Sequence, residues 1–378
     1  MINLAAQVVA AATRERPADG VLRRILRAER GISAPEAGHV SEAVFTYYRW
    51  WGWLTGERKI EDGLHRALEL AGRFRASPRD FSPDELRAKA VPRWVAGEME
   101  VSDAWLRSLQ REPSLWLRAR AAQEKSLARK LGQAKTTGLP GAVLYEGPKD
   151  LFQTPEFRSG EFEIQDIASQ MVGHLCHPGS GERWWDACAG EGGKTMHLSD
   201  LMENKGLVWA SDRAAWRLQR LKRRAARARV FNYRAALWNG GPKLPTKTRF
   251  DGVLVDAPCS GLGTWQRNPH ARWTTTPEDV KELAAVQRRL LAQVAPSVKS
   301  GGKLVYSVCT LTRAETVEVA KDFEKAHMEF EPWPLPHVTL PDNNSLALPR
   351  SPSVTIWPPQ SGGGGMFVAA WRRTPKVS

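Results

Sequence analysis

Cysteine is scarce in this chain. Its 378 residues contain four, Cys176, Cys188, Cys259 and Cys309. That is too few for a disulfide framework and fits a reducing compartment, so a cytoplasmic location is expected. Metal-ligand spacing is missing as well. His174, Cys176 and His177 crowd together with no second ligand pair, unlike a structural zinc site, and no metal is expected. Long apolar runs are also absent. Residues 1–12 are apolar but too short for a bilayer, and no cation precedes the run, so neither a membrane span nor a secretion signal is expected. Two phosphate-binding motifs fail. A P-loop needs glycine where Cys188 stands, and the dinucleotide pattern G-x-G-x-x-G is broken. Acidic residues are short against basic ones, 41 to 55, which leaves a net charge of +14. The excess points to a polyanionic partner, although charge governs association and not fold. With 42% apolar and 25% charged residues, the chain is ordinary for a globular protein and long enough for two or three domains. Its sixteen tryptophans suit stacking on bases, but they serve equally as core.

Against these absences, two stretches carry chemistry. Residues 250–255 form a short apolar run that reads as a buried strand of a parallel sheet. Asp256 falls at its C-terminal end. Pro258 has no N–H to continue a ladder, and Cys259 follows within a Pro-Cys-Ser-Gly-Leu-Gly loop. Residues 301–308 repeat the arrangement and deliver Cys309 and Thr310. In open α/β sheets, ligands bind beyond the carboxyl ends of the strands. If the two strands are neighbours, both thiols and Asp256 face one crevice. A single cysteine is most often a small buried hydrophobe. Two at successive strand ends argue against that reading.

Taken in order, residues 1–111 read as helical, with helices at 7–12, 20–30, 41–54, 83–90 and 102–110. This region is expected to dock or bind RNA. Residues 112–158 read as a small α/β module: strands at 115–120 and 142–145 flank a helix at 123–133. Arg118, Arg120, Lys125, Arg129, Lys130 and Lys135 make it basic enough to contact polyphosphate. From 159 to 378, strands and helices alternate in the βαβ manner of a doubly wound parallel sheet. Strands are expected at 183–186, 206–210, 230–237, 250–255 and 301–308, with a last one at 366–371 closing the sheet. Turn signals fall at Pro332, Pro334, Pro336, Pro341, Pro358, Pro359 and the glycine run 362–365.

The first of these strands leads into Cys188, Ala189, Gly190, Glu191, Gly192, Gly193 and Lys194, and then a helix. A glycine turn there lets a ligand approach the backbone. Asp212 ends the next strand, about 20 residues past the loop, where an acid can accept both hydroxyls of a ribose. Together these imply a nucleoside-type cofactor in a Rossmann-like domain.

Three ordered motifs carry a resemblance to a known family. They are Asp186-Ala-Cys-Ala-Gly-Glu-Gly-Gly-Lys-Thr195, Asp256-Ala-Pro-Cys-Ser-Gly-Leu-Gly-Thr264 with Arg267-Asn-Pro and Arg272-Trp273, and Tyr306-Ser-Val-Cys-Thr310. Across about residues 160–371 the chain resembles the Sun/RsmB (Nol/Nop/Sun) family of S-adenosylmethionine-dependent RNA cytosine-5 methyltransferases, closest to its bacterial 16S ribosomal RNA members. Residues 39–54 are similar, more weakly, to the NusB-like helical domain of those members. The resemblance implies Cys309 as the nucleophile toward C6 of cytosine, Cys259 as the residue that aids product release, and Asp256 as a hydrogen-bond partner of base or cofactor. It also implies that Cys188, Ala189, Gly190, Glu191, Gly192, Gly193 and Lys194 line S-adenosyl-L-methionine. Asp212 would hold its ribose, and Asn239 stands where an adenine-side acid is usual. Arg118, Arg120, Arg267 and Arg272 are the expected RNA contacts. A monomer acting on ribosomal RNA, with transfer RNA as the other candidate, is the expected arrangement.

The chain departs from the family pattern in places. Gly190-Glu191-Gly192-Gly193 replaces the usual Ala-Pro-Gly-Gly and puts a carboxylate near the cofactor. Asn239 replaces an acid, Gln266 an arginine, and Arg118-Ala-Arg120 lacks a terminal Asn. A non-catalytic RNA-binding assembly factor with a degenerate cofactor loop, and a DNA cytosine methyltransferase, are the competing readings.

Overall fold

The computed structural model describes residues 1–120, 123–339, 348 and 350–375. Pro341, one of the expected turn residues, lies outside the described residues. The chain divides into two compact units, one of residues 1–113 and 261–279, the other of residues 114–260 and 280–378.

The first unit is helical. Helices Ile2–Ala11, Ala18–Ala28, Ala34–Arg49, Pro83–Lys89 and Asp103–Ser108 fall where the apolar spacing predicts them. Ser33 and Glu36 form a reciprocal capping box at the start of the third, which satisfies two otherwise orphaned N–H groups. Helix Ile60–Ala76 was not expected from the sequence. It buries Leu64, Ala67, Leu70 and Phe74, spaced three or four residues apart on one face. Trp50, Phe74 and Phe81 meet in a ring cluster at 5.2–5.7 Å between centroids.

Arg272 pins this unit from within. It is fully buried. Its guanidinium donates to the carbonyls of Arg49 at 3.3 Å, Ala90 at 3.0 Å and Leu109 at 3.0 Å. Those carbonyls stand at the C-terminal ends of three helices. The last carbonyls of a helix have no partner inside it and carry the negative end of its dipole. One cation therefore satisfies three helix ends. Burial and the charge of Arg49 still push the Arg272 guanidinium down to about 9.

The second unit holds two sheets. The smaller contains β1 (Leu115–Ala119), β2 (Ala134–Thr136), β3 (Ala142–Tyr145) and β4 (Phe162–Ile164) in the order β2-β3-β1-β4, all antiparallel. The larger contains β5 (Arg183–Asp186), β6 (Leu207–Asp212), β7 (Tyr233–Leu237), β8 (Phe250–Asp256), β9 (Val298–Val308), β10 (Phe330–Pro332), β11 (Ser353–Ile356) and β12 (Met366–Arg373). Its order is β10-β12-β9-β8-β5-β6-β7, with β11 also on β12. Strands β5 to β9 are parallel, and β12 runs antiparallel to β9. This is the Rossmann-like fold that the alternation predicts.

Two expectations need correction here. The last strand does not close the sheet, because β10 and β11 pair on its far side. Pro332 is no turn either, since it ends β10 opposite Trp371. A proline is tolerated there because β10 is an edge strand. Two apolar layers cover the large sheet. One is built on Met171, Val172 and Leu198, the other on Leu291, Val319 and Phe323. Six of the sixteen tryptophans, Trp50, Trp105, Trp184, Trp185, Trp265 and Trp371, are fully buried, so these serve as core and not as a stacking surface.

Replacing Arg272 with Met would leave three buried carbonyls unpaired. A loss of about 3–5 kcal/mol is expected, read as a lower urea midpoint of the helical signal.

Candidate active site

The larger sheet reverses its order between β5 and β8. A doubly wound sheet opens a crevice beyond its strand ends at that point. Asp186, Asp256 and Cys309 all stand at or just past the carboxyl ends of β5, β8 and β9. The β8–β9 register pairs Leu254 with Val305 and Asp256 with Ser307. Parallel pairing in this register brings the two loops together. The sulfurs of Cys259 and Cys309 lie 3.3 Å apart, as a thiol–thiol hydrogen bond.

A buried network holds the Cys259 loop. Glu315 is fully buried. Its carboxylate accepts from the Ser260 backbone N–H at 2.9 Å, from the Ser260 hydroxyl, from Thr312 Oγ1 at 2.9 Å and from Gln287 Nε2 at 2.9 Å. Gln287 Nε2 also donates to the Pro258 carbonyl at 2.9 Å. Tyr306 donates its hydroxyl to Gln287 Oε1 at 2.9 Å and to the Glu315 carbonyl at 2.6 Å. Pro258 and Ser260 are thus fixed on both sides of Cys259. Burial raises the Glu315 carboxyl above its usual range, although the bonds from Ser260, Gln287 and Thr312 oppose this. The sequence reading missed this hub. Two signals for it were present: the Thr312-x-x-Glu315 spacing of a capping box, and a glutamine on the apolar face of helix Pro277–Val294.

The glycine loop turns through Gly190 and Gly192, both at positive φ. A Cβ added at Gly190 would meet nothing within 4 Å, whereas one at Gly192 would strike the Leu221 side chain at 2.5 Å. Asp212 is almost buried. It accepts from the Gly190 N–H at 3.0 Å and from the Ala214 N–H at 2.8 Å. A carboxylate offers about four acceptor positions, so two remain for hydroxyls. Asn239 borders the same cavity as Asp212, and its Oδ1 accepts from the Gly241 N–H at 3.0 Å, which fixes the side chain. A cavity of about 500 Å³ is bounded by Cys188, Ala189, Gly190, Asp212, Asn239 and Asp256, with both Cys259 and Cys309 at its wall. Its size, its open glycine and its acid with spare acceptors fit a nucleoside-type cofactor.

Lys194 is placed differently from the expectation. It starts the helix after the loop and is buried. Its ammonium donates to Asp256 Oδ2 at 2.7 Å, while Ser307 donates to Asp256 Oδ1 at 2.7 Å. Burial alone would lower the Lys194 ammonium, but the Asp256 charge and hydrogen bond outweigh it and raise it. Glu191, Gly192, Gly193 and Lys194 do not border the cavity. Glu191 turns to Arg220, at 2.6 Å, so the extra carboxylate does not face the cofactor space.

Of the four expected RNA contacts, three serve the fold. Arg118 is buried, pairing with Asp200 and donating to Gln165 Oε1 at 2.7 Å. Arg120 pairs with the same Asp200 at 3.1 Å. Arg272 is the pin described above. Arg267 is exposed. A signal for other basic surface was present in helix Ala215–Arg227. Trp216 stands 55% exposed on it, between Arg217 and Arg220 at 5.3 and 5.0 Å from its ring. Arg213, Arg217 and Arg289 border the cavity itself.

Fold and cavity together define a Rossmann-like domain with a nucleoside-sized site at its topological switch point. The sequence profile of the 16S rRNA methyltransferase RsmB/F family matches residues 174–372. The chain belongs to that family, as the three motifs imply. It is 35% identical over 300 residues to the "Probable ribosomal RNA small subunit methyltransferase B" of Synechocystis sp., a match over 76% of this chain and 66% of that protein. It is 37% identical over 219 residues to the Bacillus subtilis protein of the same name, covering 57% of this chain and 49% of that one. The chain thus spans about half to two thirds of these relatives. The crystal structure of PH0851 superposes with a TM-score of 0.77 over 98% of this chain and 97% of its own, at 23% identity, a likeness of fold. No helix among the described residues is long and apolar enough to cross a membrane. No group of three or more potential metal ligands occurs among them.

Asp186 yields a pH prediction. It is fully buried, and its Oδ2 accepts from Thr195 Oγ1 at 2.6 Å. Burial pushes its carboxyl up to about 7, against the Thr195 hydrogen bond and with the Asp256 charge adding. Between pH of about 4 and 7, the folded chain then holds a proton that the unfolded chain has lost. Stability from this group is full below about pH 4 and falls as pH rises to 7, by at most about 4 kcal/mol. Urea unfolding from pH 4.5 to 7.5 should show that decline, and Asp186→Asn should flatten it.

Proposed function

We propose that this chain methylates carbon 5 of a cytosine in RNA, with ribosomal RNA as the substrate class and S-adenosylmethionine as the donor. The observation that carries the reading is the pair of thiols 3.3 Å apart at the wall of a cofactor-sized cavity. S-adenosylmethionine, when bound, supplies an electrophilic methyl group, and Asp212, Asn239 and the backbone at Cys188–Gly190 are the residues that would hold it.

C5 of cytosine is a weak nucleophile. Thiolate addition of Cys309 to C6 forms a C–S bond and pushes the ring electrons toward C5, which can then take the methyl. Loss of the C5 proton followed by cleavage of the C6–S bond restores the aromatic base and the thiolate. Cys259, in sulfur contact with Cys309, is placed to assist that release. Asp256 borders the cavity with both thiols and offers a carboxylate to a cytosine edge, while the buried Lys194 ammonium behind it holds that carboxylate in place. Arg213, Arg217 and Arg289 at the cavity rim suit the phosphates of the flanking strand. The helical region, residues 1–111, and the basic module, residues 112–158, are read as further RNA-docking parts of a three-part chain.

The test uses RNA carrying 5-fluorocytosine, S-adenosylmethionine and the purified chain. Fluorine blocks loss of the C5 substituent, so a covalent protein–RNA adduct should build up and map to Cys309. Cys309→Ala should form none. Cys259→Ala should retain ordinary, unfluorinated RNA as an adduct, because release is impaired. An adduct mapped to Cys259 would overturn the assignment in favour of a DNA-type arrangement.

A further inference from the structure

Within the helical unit, two buried polar side chains border one cavity and lack partners. Arg49 and Gln110 are each 4% exposed. The Nε of Arg49 and both the Nε2 and Oε1 of Gln110 are buried without a hydrogen bond. The cavity beside them measures about 350 Å³, with Ala71 and Phe74 on its apolar side and Arg75 and Glu112 among its remaining walls. Among the described residues, no carboxylate forms an ion pair with Arg49. The nearby acids Glu42 and Glu112 are taken by Arg75, at 3.6 and 3.4 Å.

The terminal nitrogens of the other buried arginines are matched inside the fold. Arg272 has three helix-end carbonyls and Arg118 has Asp200 and Gln165. A buried guanidinium without an anion costs stability, and so does a buried amide with both ends unpaired. Native chains keep few such groups. The missing partner has a defined chemistry. Guanidinium and amide N–H donors lining one cavity match an oxyanion. The amide oxygen beside them needs a donor such as a hydroxyl. A phosphate next to a ribose 2′-OH supplies both.

We propose that this cavity is a phosphate-binding site in which Arg49 and the Gln110 NH₂ hold the phosphate oxygens and Gln110 Oε1 accepts from an adjoining hydroxyl. That the phosphate belongs to an RNA strand rests on the function proposed above. The oxyanion site itself does not.

Thermal unfolding of the full chain in inorganic phosphate, against chloride at equal ionic strength, tests the site without any methyl transfer. Phosphate should raise the Tm of the wild type and leave that of Arg49→Met unmoved. Without phosphate, Arg49→Met should be at least as stable as the wild type, because an unpaired buried charge is gone. Gln110→Leu, which keeps the cation, should show a reduced phosphate response and serves if Arg49→Met does not fold. A wild type that ignores phosphate, or an Arg49→Met that responds equally, overturns the proposal and makes the cavity a water-filled packing defect. RNA binding measured against salt separates the sources. A slope smaller by about 0.7 in Arg49→Met assigns the site to a strand phosphate. An unchanged slope with the phosphate response intact assigns it to a free phosphate.

Discussion

The cleft that holds both thiols depends on the parallel pairing of β8 with β9. Each strand ends in a loop with a cysteine, and neither loop alone makes a site. The register sets Asp256 opposite Ser307, and the sulfurs two or three residues further on come within contact. A slip by one residue would turn alternate side chains to the opposite face of the sheet. Sheet pairing alone would still leave the Pro258–Ser260 loop free to move. Glu315 removes that freedom by accepting from Ser260 twice, with Gln287 tying Pro258 to the same carboxylate. A carboxylate this deep is tolerable only because its oxygens are satisfied. The hub therefore serves position and stability together.

The positive charge of the chain is spent in two ways. Part of it is structural: Arg272 gathers three helix ends, Arg118 and Arg120 share Asp200, and Arg224 and Arg227 share Glu163. Another part lies near the surface at Arg213 and along helix Ala215–Arg227, where Trp216 is exposed between Arg217 and Arg220. That helix runs from the rim of the cavity beside the thiols to a second groove of about 460 Å³ lined by Phe152, Phe157, Arg220 and Arg223. A polyanion reaching the cavity would meet this helix.

Much of this was legible in the sequence, and the exceptions have physical causes. The central strands, the glycine loop and the two cysteines could be placed because a buried parallel strand is a continuous apolar run and its end is marked by glycine or proline. Helix Ile60–Ala76 escaped because its apolar stripe is narrow and no capping side chain marks its start. Strands β10 and β11 escaped because they are three and four residues long and flanked by prolines. The arginines were misjudged for another reason. An arginine in a basic segment looks the same on a surface as in a core, and only its tertiary partner distinguishes them. Glu191 shows the same limit, since its pairing with Arg220 is set by a helix that begins 24 residues later, at Ala215.

The central claim is that the paired thiols act on carbon 5 of cytosine in RNA. Nucleoside mass spectrometry of RNA treated with the chain and S-adenosylmethionine tests it most directly. The account predicts 5-methylcytidine from the wild type and none from Cys309→Ala. Methylation of another base or another atom, or 5-methylcytidine that persists without Cys309, would contradict it.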